Sequence, residues 1–273
     1  MSIATMSQKP HHCSGCSASG KDSPHSHTPA ITAPPKPQVR EPDAEELEWL
    51  QQQSLALEDA SPEEILTWAV EKYHPKLTMA TAFGPEGCLI LSMLAKIEPE
   101  VYIFNLDTGY QFQETLDLRD RMAAHYGMEI VLEQPELPVE QFEAANGGPM
   151  YQSEPDQCCF HRKIVVLRRV LAEYDAWFSG IRRDQSPYRA NAPIVGWDKK
   201  FGLVKISPLA NWTKERVWKR IVDEKVPYNP LHDQGYPSVG CQPCTRPVAA
   251  GEHERAGRWT GTAKTECGLH TAD

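Results

Sequence analysis

The 273-residue chain has no run of about 18 apolar residues, so no stretch of it reads as a membrane span. It has no apolar signal core before its first proline, Pro10, which places it by expectation in a reducing cytoplasm. It has no basic surplus: 28 Lys and Arg stand against 37 Asp and Glu, for a net charge of −9, and a general nucleic-acid binder is excluded. It has no lysine-ended Walker A loop, which excludes an ordinary P-loop site. Large apolar residues are almost missing from residues 1–41, where Pro, Ser, Thr, Ala and His dominate. Such a stretch cannot bury enough surface to offset its ordering entropy and is expected to be a disordered tail. It contains His11, His12, Cys13, Cys16, His25 and His27, read as a solvated cluster without a supporting element.

What the chain does have is cysteine, eight in all, and in a reducing compartment this argues for metal or redox chemistry. Cys158 and Cys159 are adjacent, so a disulfide between them is strained and both sulfurs are better used on something large. Cys241-Gln242-Pro243-Cys244 is a tight turn that aims two more sulfurs at one point. Four thiolates from two distant segments suit a [4Fe–4S] cluster. Zinc is the competing occupant and disulfides or free thiols the third reading; adjacent ligands are unusual for structural zinc. Charge is also unevenly placed. Up to Cys159 there are 9 basic and 25 acidic residues, and after it 19 basic and 12 acidic, which points to a local anion site in the second half.

Strand and helix patterns alternate in the body of the chain, the signature of a doubly wound, mostly parallel α/β sheet. Leu47, Leu50, Ser54 and Leu57 mark a helix face, and Ser61-Pro62-Glu63-Glu64 opens a second helix as a capping box, ending before Pro75. Residues 77–82, 101–106, 128–132, 176–179 and 203–206 read as strands, with helices at 88–94, 113–126, 160–171 and from Thr213 to about Lys225. The turn at Phe83-Gly84-Pro85-Glu86-Gly87 is a strand-to-helix anion site. Asp107-Thr108-Gly109 lies at a strand's carboxyl end, where ligands of open α/β sheets gather. Gly180 starts a turn with Arg182 and Arg183 that suits phosphate or sulfate. Lys163 follows the cysteine pair by about one helical turn. Cys88 lies in an apolar run and reads as a core residue. Cys267 is left over, with Lys264 and His270 three residues to either side. Basic neighbours raise thiolate character, so it is either a nucleophile or a spare thiol.

Five motifs in order carry a resemblance over residues 77–270. They are Cys158-Cys159 with Arg162-Lys163, the 180–186 loop, the Gly240-to-Pro247 turn, His253-Glu254-Arg255-Ala256-Gly257-Arg258-Trp259, and Glu266-Cys267-Gly268-Leu269-His270. Together these resemble the assimilatory adenylyl-sulfate (APS) reductases. The resemblance implies an adenine-nucleotide α-hydrolase-like (PP-loop) fold and thioredoxin- or glutaredoxin-dependent reduction of adenosine 5′-phosphosulfate to sulfite and AMP. It implies that Cys267 attacks the sulfate sulfur and becomes an S-sulfocysteine. It also implies a [4Fe–4S] cluster on Cys158, Cys159, Cys241 and Cys244. Lys163, Arg182, Arg183, Arg255 and Arg258 would neutralise the anion and His270 would orient it. Thr81, Phe83, Gly84 and Gly180, with Leu106, Asp107 and Gly109, would form the phosphate loop and nucleotide pocket.

The chain lacks a thioredoxin-like domain and a second cysteine near Cys267, so the reductant is expected to be a separate protein. It also lacks the Ser-Gly-Gly-x-Asp-Ser loop of ATP-splitting relatives. The expected division is a tail over 1–41, a nucleotide-binding domain over 42–239 and a cluster turn with catalytic arm over 240–273. Two rivals stand beside this reading. One is a reductase of the 3′-phosphorylated nucleotide (PAPS) or of both nucleotides, although such enzymes typically lack the four-cysteine site. The other is a non-catalytic iron–sulfur nucleotide-binding sensor. Oligomeric state is left open, a homo-oligomer included.

Overall fold

The computed structural model describes residues 39–249, 251–262, 264, 268 and 269. The first two helices start where their caps place them. The Asp43 carboxylate accepts from the N–H of Glu46 at 2.8 Å and opens α1 (Ala44–Ala56). Ser61 and Glu64 form the reciprocal capping box of α2 (Pro62–Tyr73). On α1 the buried side chains are Leu50 and Ser54; of the expected face, Leu47 is exposed and Leu57 serves as the C-cap.

The chain then alternates: β1 (Leu77–Ala80), α3 (Pro85–Ile97), β2 (Tyr102–Leu106), α4 (Gln113–Tyr126), β3 (Ile130–Glu133), α5 (Val139–Ala145), α6 (Met150–Ser153), α7 (Pro155–Cys159), α8 (Val165–Leu171), β4 (Ala176–Phe178), β5 (Val195–Asp198), β6 (Leu203–Ile206) and α9 (Lys214–Asp223). Gly127 ends α4 at a left-handed φ of 66°, a conformation that costs glycine nothing. The six strands lie in the order β3-β2-β1-β4-β6-β5. All neighbours are parallel except β5, which runs antiparallel to β6 at the edge. Winding proceeds outward through β2 and β3, then returns to β4 on the other side of β1. The switch point therefore lies at the carboxyl ends of β1, β2 and β4, where a crevice must open.

Both faces of the sheet are covered, as expected for a doubly wound fold. One face buries Ile65, Leu66, Leu89, Leu91 and Leu94 with Val217 and Ile221 of α9. The other buries Phe104, Trp177 and Leu203 against Leu167, Val170 and Leu171 of α8. Each such side chain stabilises by roughly 1.5–3 kcal/mol, and this fixes the strands whose ends build the crevice. Cys88 is fully buried, as expected, and burial pushes its thiol up to about 12.

Two elements differ from expectation. β5 carries Val195-Gly196-Trp197-Asp198, with no strand periodicity, and exists because it can pair with β6. The cysteine pair closes the short helix α7 rather than opening a long one, and a π-helical turn (Phe160–Ile164) joins it to α8. The wider turn rotates α8 relative to α7, and such turns are frequent at functional sites.

α1 packs on the β5 edge, and Ser54 makes the polar tie: its hydroxyl accepts from the N–H of Ile194 at 3.0 Å and of Val195 at 3.3 Å. Ser54→Ala leaves both donors buried without that partner. It is expected to lower unfolding free energy by about 1–3 kcal/mol, read from a chemical denaturation curve.

Candidate active site

The crevice at the switch point is a cleft of about 290 Å³, lined by residues at and just beyond the ends of three strands. Ala80 ends β1 and Thr81 follows it, Asn105 and Leu106 end β2, and Ser179 and Gly180 follow β4. Asn105 Nδ2 donates to the carbonyl of Thr81 at 2.7 Å, and Gln111 Nε2 donates to Asn105 Oδ1 and the Leu106 carbonyl, each at 2.7 Å. These bonds lock the β1 and β2 ends together. α3 starts here without a side-chain cap, Pro85 in its first turn, so its N-terminus faces the cleft as a dipole end. Close approach excludes a Cβ at Gly87 and crowds one at Gly180. A Cβ on Gly87 would meet Thr81 Oγ1 at 2.6 Å, and one on Gly180 would meet the Glu86 Cβ at 3.2 Å.

Basic side chains line the walls: Lys163, Arg182, Arg189, Lys214, Arg255 and Arg258. Arg182 is only 4 % exposed, ion-paired with Glu86 at the start of α3 and bonded through Nε to Asp184 Oδ1 at 2.8 Å. Arg258 lies 4.4 Å over the Trp259 ring and donates to Ser238 Oγ and the Val239 carbonyl, each at 3.3 Å. Its guanidinium covers Gly240, where a Cβ would meet Arg258 Nη2 at 2.1 Å.

Beside the cleft is a smaller cavity lined by all four expected ligand cysteines: Cys158 and Cys159 from α7, Cys241 and Cys244 from the turn. All four are free of disulfides. The turn is stitched to the loop after β2. The N–H of Gln242 donates to the Tyr110 carbonyl at 2.7 Å, Gln111 and Cys241 form a β-bridge, and Thr108 Oγ1 lies 3.3 Å from Cys241 Sγ. Lys163 borders both spaces and hydrogen-bonds Cys241. Burial opposes ionisation of Cys241, yet Lys163, Thr108 and Arg258 together hold its thiol below the usual range. Burial and the neighbouring sulfurs push Cys158 up to about 12 and Cys244 up to about 11. Among the described residues, no three His, Cys, Asp or Glu side chains are spaced as the ligands of one metal ion. What the four sulfurs share is the cavity.

Of the remaining expected residues, Thr81, Gly84, Leu106 and Gly180 line the cleft. Phe83 does not: its ring is buried in the core, and its backbone, at φ 55°, donates to Thr81 Oγ1 at 3.0 Å. Asp107 and Gly109 shape the loop from behind, with Asp107 Oδ1 accepting from the N–H of Gly109 at 2.9 Å and Oδ2 from Gln134 at 2.7 Å. Arg183 is turned away from the cleft and grips Glu58, with Nη2–Oε2 at 2.9 Å, and the Ala192 carbonyl at 2.8 Å. Cys267, His270 and the His/Cys cluster of the tail lie outside the described residues. Their neighbours do not: Lys264 pairs with Asp156, two residues before Cys158, and Leu269 lines the cleft and packs against the Phe104–Trp177 face. Sequence reasoning missed Arg189 and Lys214, whose spacing carries no signal, and Arg162, which it quoted only as part of a motif.

The family model for the phosphoadenosine phosphosulfate reductase domain matches residues 76–247. A phosphoadenosine 5′-phosphosulfate reductase of Gloeobacter violaceus is 49% identical over 216 residues, 78% of this chain and 90% of that one. An adenosine 5′-phosphosulfate reductase of Halalkalibacterium halodurans is 45% identical, over 79% of this chain and 94% of that one. Among solved structures, a phosphoadenylyl-sulfate reductase from Candida auris in complex with phosphate superposes with a TM-score of 0.67 at 31% identity, covering 76% of this chain and all of that one.

The placement of Arg183 separates it from its neighbour Arg182. Its pair with Glu58 is partly exposed, so Arg183→Ala is expected to cost about 1 kcal/mol of stability, seen as a lowered melting temperature. Affinity for AMP, measured by calorimetry, is expected to stay unchanged.

Proposed function

The chain belongs to the phosphoadenosine phosphosulfate reductase family, and on that premise we propose that it reduces adenosine 5′-phosphosulfate to sulfite and AMP for sulfate assimilation in the cytoplasm. The observation that carries the reading is a basic cleft at the sheet's switch point that shares Lys163 with a four-cysteine cavity. The nucleotide's phosphate and sulfate would lie among Lys163, Arg182, Arg255 and Arg258, at the start of α3. Displacing AMP from sulfur builds negative charge on the leaving phosphate, and fixed cations offset it without a strong general base.

The attacking group in this reading is the Cys267 thiolate, with His270 orienting the substrate. Sulfur–sulfur bond formation is matched by breaking the sulfur–oxygen bond to AMP, which departs with the electron pair. The S-sulfocysteine is then cleaved by a thiolate of thioredoxin or glutaredoxin. Sulfite leaves, and the partner's two thiols end as a disulfide, supplying both electrons. Support for this delivery comes from the chain on either side of Cys267. Lys264 is tied beside the cysteine helix and Leu269 lines the cleft.

Cys158, Cys159, Cys241 and Cys244 would hold a [4Fe–4S] cluster, and they fit one. None of the four is in a disulfide, they line one cavity, and their mutual repulsion as thiolates would be relieved by a cationic core. Bound there, it would supply a fixed local charge beside Lys163. Lys163 itself faces both the sulfurs and the cleft, where it positions the anion.

The 49%-identical relative named for the phosphorylated nucleotide keeps a second reading in play, use of PAPS. Competition between the two nucleotides in a sulfite-release assay decides it, with adenosine 5′-phosphosulfate expected to win. Cys267→Ser is expected to abolish sulfite formation while AMP binding and bound metal are kept; full turnover by this variant would remove the nucleophile assignment. Mass spectrometry after substrate is added without reductant is expected to find a sulfite adduct on the Cys267 peptide, and an adduct elsewhere would reassign the attack.

A further inference from the structure

One buried hydroxyl in the cleft wall has no hydrogen-bond partner. Ser179 is 2 % exposed; its N–H donates to the Ile206 carbonyl at 2.8 Å, while its Oγ is bonded to nothing among the described residues. Comparable hydroxyls nearby are satisfied within the fold. Thr78 Oγ1 donates to the Tyr102 carbonyl at 2.8 Å, and Thr81 Oγ1 accepts from the N–H of Phe83 at 3.0 Å. Ser186 Oγ shares the deficit, but Ser179 lines the cleft and Ser186 does not. A buried hydroxyl without a partner costs stability that an alanine would recover. Its place in a cleft wall points to a partner that arrives with the ligand.

The surroundings of Ser179 define the kind of group it would meet. It lies two residues beyond Trp177 and so on the same face of the sheet. Ala80, Leu106, Leu167, Trp177 and Leu269 line the cleft and belong to the apolar cluster on that face. Charge gathers on the side of α3 and α9, where Arg182 pairs with Glu86 and Lys214 opens α9. The cleft is apolar at one end and cationic at the other. An adenine nucleotide has the same polarity, with a flat base at one end and its anionic groups at the other. Apolar walls hold such a ring by its faces, and a few placed polar groups fix its orientation. A serine hydroxyl can both donate and accept, and Ser179 places one at the apolar end.

We propose that the Ser179 hydroxyl hydrogen-bonds the purine edge of the bound nucleotide and so fixes the base in the apolar end of the cleft. This rests on the reading of the cleft as the nucleotide site. The residue acts on nucleotide affinity and base orientation; in that reading the transferred sulfur lies at the cationic end.

The test compares the full wild-type chain with Ser179→Ala, reading AMP affinity by calorimetry and the melting temperature without nucleotide. Ser179→Ala is expected to lose about 5- to 10-fold in AMP affinity. Its melting temperature without nucleotide is expected to stay equal or rise, since the empty cleft loses no hydrogen bond. The analogues 1-, 3- and 7-deaza-AMP and purine riboside 5′-monophosphate each lack one group of the base edge. One of them is expected to bind wild type as weakly as AMP binds the variant, and to lose nothing further in the variant. An AMP affinity unchanged by the substitution overturns the proposal. So does a lowered melting temperature of the empty variant, which marks a bond internal to the fold. A penalty that persists through every base analogue overturns it as well, and one that vanishes with 2′-deoxy- or 3′-deoxy-AMP assigns the hydroxyl to the ribose instead. A wild-type chain that binds no AMP overturns the nucleotide reading and this proposal with it, and shows itself before any variant is compared.

Discussion

Four cysteines from two segments of the chain, none in a disulfide, line one small cavity, and most of the site's character derives from that convergence. Burial first, and then the neighbouring sulfurs, push the Cys158 thiol up to about 12 and the Cys244 thiol up to about 11. The surrounding cations act in the other direction. Lys163 and Arg258 reach Cys241 from the cleft side, and Arg162 stands beneath the loop that carries Thr108. The site is a balance of charge in a low-dielectric space, where an uncompensated member of either sign is costly.

The fold explains why this balance lies beside an anion cleft. The sheet's winding reverses at β1, so the ends of β1, β2 and β4 open onto one crevice. The loop after β2 is common to both spaces. Thr108 and Gln111 of this loop line the cleft, and Gln111 is bridged to Cys241 of the cysteine turn. Lys163 completes the link from the other side. The two spaces share Thr108, Lys163, Cys241 and Arg258 in their walls.

How much of this was legible in the sequence depended on the range of the forces involved. The capping box at Ser61 and the glycine stop at Gly127 are local chemistry, and both stand where the sequence places them. The strands rich in β-branched and aromatic residues are likewise legible, and so is the grouping of the four cysteines. β5 was not legible, because an edge strand of four residues owes its existence to a partner. Nor was the division of labour between Arg182 and Arg183. Both are arginines at one strand end, and only tertiary partners, Glu86 for one and Glu58 for the other, send them to opposite sides. Arg162 was hidden because its partners, the Thr108 and Leu137 carbonyls, come from loops far away in the chain. No spacing rule for a regular helix recovers that.

X-ray absorption at the iron and zinc edges of anaerobically prepared protein tests the central claim most directly. The account predicts iron in an all-sulfur shell with a short iron–iron vector, and loss of both when Cys241 and Cys244 are replaced by serine. Zinc alone in the site, or sulfur–sulfur bonds with no metal, would contradict it.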